Sequence, residues 1–165
     1  MGDNMKEIPL TCGFVAKVDD EDHEELSRYK WHTHVCSASY VYAARWTTVR
    51  LGEKDRGEKR RLIRMHQQIL EFPECLVDHK DHDGLNNQRY NLRPCTYAEN
   101  NCNRKTSIRN LCGVKGVSQS GKRWVVNIQC GGKRYVFYCK SLATASKMYD
   151  AKAKELFGEF AWTNS

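Results

Sequence analysis

The chain has 165 residues, of which 40% are hydrophobic and 28% charged, a composition that excludes a wholly disordered chain and a length that allows one ordinary domain or two to three small ones. No apolar run approaches the ~20 residues needed to span a bilayer, and "MGDNMKEIPL" lacks the apolar core of a signal peptide, so an intracellular protein without a membrane partner is expected. The formal charge of +7 is uneven, because residues 111–165 carry nine Lys and Arg against three Asp and Glu, and a basic third on a near-neutral body points to a polyanion such as nucleic acid.

In chain order, residues 14–18 ("FVAKV") alternate as a strand, and "DDEDHEELSRY" opens with acidic residues suited to a helix N-terminus. Residues 40–46 ("YVYAARW") and 61–65 ("RLIRM") read as further strands, with the glycine-punctuated "RLGEKDRGEKRR" between them as a polar hairpin or loop. "MHQQIL" is predicted as a short helix stopped by Pro73. "CLVDHK" is a strand, "DHDGLNNQRY" a loop and "NLRPCT" a second strand. "TYAENNCNR" is a helix whose Thr96 and Glu99 form a capping-box pattern. After the polar linker 105–113, "VKGVSQ", "RWVVNIQC" and "RYVFYC" are strands separated by the turn signals "SGK" and "GGK". The closing helix covers about 142–157, with Leu142, Ala145, Tyr149, Ala153 and Leu156 on one face. In the middle strand Trp124, Val126, Ile128 and Cys130 share one face and Arg123, Val125, Asn127 and Gln129 the other.

The eight cysteines contain no C-x2-C or C-x4-C pair, so structural zinc is not expected, and they read as mostly buried small apolar residues. The densest group of potential ligands is "DHKDHDG". Calcium fails on spacing: with Gly84 at the sixth position of an EF-hand loop, His79 stands at the first and Tyr90 at the twelfth, where a carboxylate is needed. Zinc on His79 and His82 lacks further ligands, with only His66 as a distant recruit. His66 otherwise reads as a packing or surface histidine, and Asp81, Asp83, Asn86 and Asn87 as ordinary loop residues.

The spacing supports a third reading. His79 is followed by Asn91 twelve positions on and by Asn100 nine further, with Asp78 directly before the histidine. In the order strand, loop, strand, helix, "VDHKDHDGLNNQRYNLRPCTYAENNCNR" resembles the HNH nuclease motif, the ββα-metal finger of homing endonucleases. The resemblance implies that His79 activates water, that Asp78 and Asn100 hold one Mg2+ or Mn2+, and that Asn91 pins the loop that orients the histidine. Two oxygen donors suit magnesium, which keeps its remaining waters. Asn103, one turn beyond Asn100, is an alternative ligand. Adjacent strand residues point to opposite faces, so Asp78 and His79 serve one site only if the strand bends or the phosphate sits between them.

"GVKGVSQSGKRWVVNIQCGGKRY" and "MYDAKAKELFGEFAWTN" together resemble the APETALA2/ethylene-response-factor DNA-binding domain, whose three-stranded sheet enters the major groove. That resemblance puts Lys115, Asn127 and Gln129 on the DNA side, and charge and alternation add Arg123, Lys133 and Arg134. The third strand keeps two registers open, one turning Tyr135, Phe137 and Cys139 inward and the other exposing Lys133 and Tyr135. The expected protein is thus α+β, with a small N-terminal α+β unit (1–72), an HNH finger (73–107) and a three-stranded antiparallel sheet packed on one helix (108–165). The function implied is a monomeric, metal-dependent endonuclease of double-stranded DNA, acting in the cytoplasm of a bacterium, whether or not phage-infected. The alternatives are a non-catalytic DNA-binding regulator with a structural finger and a zinc-dependent structural protein.

Overall fold

The computed structural model describes residues 5–37, 40–50, 58–107 and 109–164. The hairpin or loop expected over 50–61 lies mostly outside them, as does Ile108 of the linker. The protein is α+β and divides into two compact units, Met1–Cys95 and Thr96–Ser165.

The first unit begins with the antiparallel hairpin of β1 (Met5–Pro9) and β2 (Val15–Asp19), in which Ile8 pairs with Ala16. Period-two alternation buries Ala16 and Val18 while Val15 and Lys17 face out. Helix α1 (Asp20–Ser27) follows at once, with Asp20, Glu21 and Asp22 in its first turn, where the helix dipole favours negative charge. Strands β3 (His32–Ser37), β4 (Tyr40–Arg50) and β5 (Glu58–Arg64) form an antiparallel sheet in that order. Helix α2 (Met65–Ile69) continues directly from β5 and buries Met65, His66 and Ile69. It ends before Pro73, the expected stop: Leu70 closes it, and Glu71 and Phe72 reverse the chain at φ of 55° and 58°. Strands β6 (Leu76–His79) and β7 (Leu92–Cys95) form a second two-stranded hairpin.

One core holds these pieces together. Ile8, Val18, Leu26, Trp31, Met65, Ile69 and Leu92 belong to a single apolar cluster, with Val77 and Leu85 packed against it. The β6–β7 hairpin therefore shares its core with the elements before residue 72, which is why the compact unit runs on to Cys95. Two strands, β1 and β3, are not among the elements expected from the sequence. "MKEIP" offers only one buried side chain, Ile8, and so carries no apolar alternation to read.

The second unit starts with helix α3 (Tyr97–Cys102), and the capping box is present: Thr96 N donates to Glu99 Oε2 at 2.7 Å and Glu99 N to Thr96 Oγ1 at 3.3 Å. Strands β8 (Val117–Ser120), β9 (Arg123–Cys130) and β10 (Lys133–Cys139) form an antiparallel sheet, and helix α4 (Leu142–Phe157) packs on it. The core contains Val126 and Ile128 from β9 and Ala145, Tyr149 and Ala153 from α4, with Leu142 and Leu156 against it, the helix face read from spacing. Of the two registers open for β10, the structure takes the one with Tyr135, Phe137 and Cys139 inward.

The pattern "YDA…N" at the end of the chain has a local cause. Asp150 is buried, and its Oδ1 accepts from Asn164 N at 2.8 Å and Asn164 Nδ2 at 3.1 Å, while Asn164 Oδ1 accepts from Lys115 N at 2.7 Å. Asn164 thereby ties the C-terminal segment to α4 and to the approach to β8. The Lys115 ammonium donates to the carbonyls of Cys102 at 2.7 Å and Arg104 at 2.6 Å. The expectation that the cysteines are mostly buried is corrected: Cys95 and Cys139 are buried, but Cys12, Cys36 and Cys75 are exposed, placed in turns or at strand ends that the apolar clusters do not reach.

Two positions test this packing. Gly116 sits at φ +69°, and a Cβ there would fall 2.1 Å from the Tyr149 ring. Gly116→Ala is expected to cost about 2–4 kcal/mol in urea unfolding, and an unchanged midpoint would contradict the packing. Burial lowers Lys115 from 10.5 to about 8, with Arg104 adding to the effect against the opposing Cys102. Between those values the unfolded chain binds the extra proton, so this group's contribution to stability rises with pH and its penalty is fully present below about 8. The wild type should therefore gain Tm relative to Lys115→Met between pH 7.5 and 10, and a pH-independent difference would refute it.

Candidate active site

The β6–β7 hairpin places two ionisable side chains on opposite faces of one strand. Asp78 pairs in register with Arg93, and His79 with Leu92. On one face Arg93 Nε and one terminal nitrogen donate to Asp78 Oδ2 at 3.0 and 2.8 Å, and both side chains are buried. A buried carboxylate keeps its charge at tolerable cost only beside such a donor. On the other face His79 Nε2 lies 3.3 Å from Asn87 Oδ1. Asn87 Nδ2 donates to Leu85 O at 3.2 Å, which turns the amide oxygen toward the imidazole. An acceptor at Nε2 assigns the proton to that nitrogen and the lone pair of the neutral ring to Nδ1.

Aromatic neighbours complete the setting of His79. Its ring lies 5.0 Å from that of His66, edge to face at 85°, and 5.8 Å from Tyr42. Burial lowers the pKa of His79, against the opposing bond from Asn87 and the nearby Asp81, Asp78 and Asp83. His66 is held well below the ordinary imidazole value by burial, then by His79 and Arg64, and its Nδ1 has no hydrogen-bond partner among the described residues. Gly84 lets the loop approach this cluster, since a Cβ there would meet Val41 O at 2.2 Å and the Tyr42 ring at 2.8 Å.

The loop between the strands is a closed hydrogen-bonded unit. Asn91, 1% exposed, accepts from Asp81 N at 3.0 Å and donates to Asp81 Oδ1 at 2.9 Å and Asn86 O at 2.7 Å. Asp81 also accepts from Asp83 N and from the Asn86 amide. Burial pushes the Asp81 carboxyl up, but the bonds from Asp83, Asn86 and Asn91 outweigh it and leave the pKa lowered. Backbone bonds then dock the loop on β2, Lys17 N to Leu85 O at 2.8 Å and Asn87 N to Lys17 O at 2.7 Å. Asp19 accepts from Gln88 Nε2 and Arg89 N, and Arg89 grips Asp22 through two nitrogens.

The reading of Asn86 and Asn87 as ordinary loop residues is corrected. Both are buried, Asn87 fully, and Asn87 holds the histidine. Of the two readings given to His66, packing or surface, the structure takes the first: it is buried against His79. A run of amides beside a lone leucine was the available signal for a loop folded inward. Asn100 and Asn103 lie in the second unit, Asn100 half-buried in α3 and Asn103 buried at its C-cap. Among the described residues no three His, Cys, Asp or Glu gather as a metal cluster. The Asp78 carboxylate is a hard oxygen donor of the kind a hydrated divalent ion takes, and a cation held there would share it with Arg93.

On the second unit, Arg123, Asn127 and Gln129 occupy the outward face of β9, and Arg134, Val136 and Tyr138 face the same way on β10. Val125 on this face is buried. Arg134 donates to Asn127 Oδ1 at 3.0 and 2.7 Å, so the two form one polar unit. Lys133 is exposed but pairs with Cys130 and has the opposite parity. Lys115 departs from the face expected of it, because it precedes β8 and its ammonium is engaged by two carbonyls.

No family model and no solved structure matches the chain. Among curated proteins it is 38% identical over 88 residues to a protein of Acanthamoeba polyphaga mimivirus named an uncharacterized HNH endonuclease, a match covering 53% of this chain and 46% of that protein. The chain thus spans about half the length of this relative. It is 34% identical over 87 residues to protein 3.8 of Escherichia phage T7, covering 52% of this chain and 72% of that protein. The chain belongs to the family of phage T7 protein 3.8, and its likeness to the mimivirus protein supports a kinship with the HNH nucleases.

Proposed function

We propose that the protein is a metal-dependent DNA endonuclease of the HNH type that hydrolyses phosphodiester bonds. The observation that carries this reading is the setting of His79, an imidazole buried between His66 and Tyr42 and oriented by Asn87 on a loop pinned by Asn91. Held neutral by burial, His79 takes a proton from the attacking water. Asp78 and Asn100 (or Asn103) are the residues that would hold Mg2+ or Mn2+, which supplies neutralisation of charge at the leaving oxygen. Asn91 is a positioning residue, and Arg93 holds the Asp78 carboxylate through two hydrogen bonds.

The second unit serves as an APETALA2-like module that binds double-stranded DNA through Arg123, Asn127, Gln129 and Arg134, with Lys133 beside the turn. Its support is the sequence pattern together with three strands on one helix. Lys and Arg contact phosphate or guanine, and amides can pair with adenine. One hairpin carries one histidine site, so a monomer nicks one strand, within the cell that holds the DNA, in this reading a bacterium, whether or not phage-infected. The second reading, a DNA-binding regulator with a structural finger, is favoured by one observation: Asp78 is already neutralised by Arg93.

His79→Ala should abolish nicking of supercoiled plasmid with Mg2+ while duplex binding in chelator stays within about twofold. Equal nicking by the variant sinks the nuclease reading, and absence of nicking by the wild type with retained binding supports the regulator. Asn87→Ala should slow nicking about ten- to a hundredfold because the imidazole is no longer held in orientation, again without change in binding. A rate equal to wild type would show that Asn87 does not position His79.

A further inference from the structure

The sheet of the first unit carries an arm that its core does not use. In the paired stretch of β4 and β5, the buried side chains are Ala44 and Ile63, at its start. Beyond the pair Arg45–Ile63 the two strands run on together to Arg50 and Glu58, about 17 Å at ~3.4 Å per residue. Thr48, Val49, Lys59, Arg60 and Arg61 are exposed there, and Trp46 is 50% exposed. Among the described residues these strands pair, beyond Arg45, only with each other, and a paired ribbon with a large aromatic ring in solvent has no evident folding role.

Its chemistry is one-sided in sign and two-sided in space. Register puts Trp46, Thr48 and Arg60 on one face and Thr47, Lys59 and Arg61 on the other. The Arg60 guanidinium lies 5.0 Å over the Trp46 ring, a cation–π pair that orders both side chains in the open. Lys59, Arg60 and Arg61 make no ion pair among the described residues, and Glu58 is the acid of the paired arm.

We infer that this β4–β5 ribbon is a second nucleic-acid contact, an arm that enters the major groove of duplex DNA independently of the basic sheet of the second unit. A two-stranded ribbon is one of the elements that fit a groove ~12 Å wide. Cations on both faces match an element flanked by two phosphate backbones, as a groove provides. Trp46 supplies the apolar contact that a thymine methyl or a sugar accepts. The deep, narrow major groove of duplex RNA does not admit such an element. This inference rests on reading the chain as acting on duplex DNA and adds where the first unit touches it.

The test uses the full chain in chelator, with a fluorescein-labelled mixed-sequence DNA duplex followed by anisotropy over a salt series. The triple variant Lys59→Gln/Arg60→Gln/Arg61→Gln and the single Trp46→Ala replace exposed side chains, and an unchanged circular dichroism melt confirms their folding. The triple variant should bind about tenfold more weakly, with a log–log salt slope shallower by about 1 to 3, near 0.9 for each phosphate that is no longer neutralised. Trp46→Ala should weaken binding with little change in slope. Unchanged affinity and slope in the triple variant overturn the arm, as does duplex RNA competing as well as DNA. If the wild type nicks plasmid but the triple variant binds like it, the arm falls and the nuclease reading stands. If the wild type never nicks but the triple variant binds weakly, the arm stands and the nuclease reading falls.

Discussion

The side-chain amide of Asn91 meets three groups of its own loop at once, the N–H and carboxylate of Asp81 and the carbonyl of Asn86. A loop this rich in amides and carboxylates folds inward only if each buried group finds a partner, since an unmet one costs about 1–3 kcal/mol. Asn91 meets that requirement from the last residue of the loop, directly before β7, so the closure of the loop and the register of β6 on β7 are set together. Asn86 and Asn87 are then held at fixed positions. From there the Asn87 amide reaches the imidazole of His79, two links from Asn91.

The same closed loop joins the first unit. Its docking on Lys17, Asp19 and Asp22 uses backbone and side-chain bonds to β2 and α1, while Leu85 and Leu92 enter the apolar cluster around Val18 and Met65. His66 on α2 and Tyr42 on β4 thereby become walls of the histidine's surroundings. The N-terminal elements are a scaffold for the hairpin as well as its neighbour in sequence. Across the strand, Arg93 answers the charge of Asp78 through two hydrogen bonds to one carboxylate oxygen.

Much of the architecture was legible because its signals are local. Alternation gave β2, β4, β9 and β10, the Thr96–Glu99 box gave the start of α3, and the spacing of Leu142, Ala145, Tyr149, Ala153 and Leu156 gave the buried face of α4. What escaped depends on tertiary contact. The strand β1 exists because Ile8 pairs with Ala16, and the helix end at Ile69 is made by backbone reversal before Pro73 is reached. Asn87 looks like any loop amide until the loop folds back on β2. Lys115 falls on the DNA-facing side by resemblance until its ammonium is seen on the carbonyls of Cys102 and Arg104. The strand parity that sets Asp78 and His79 on opposite faces was visible in the sequence, and the hairpin keeps it.

The central claim is that a buried, neutral histidine on this hairpin supports cation-dependent hydrolysis of DNA. Its most direct measurement is the relaxation of supercoiled plasmid by purified wild-type protein across a Mg2+ and Mn2+ titration, with strand ends mapped on the product. The account predicts single-strand nicks that appear with either cation and vanish when it is chelated. Plasmid that stays supercoiled at every cation concentration, while the protein binds the same DNA, would contradict it.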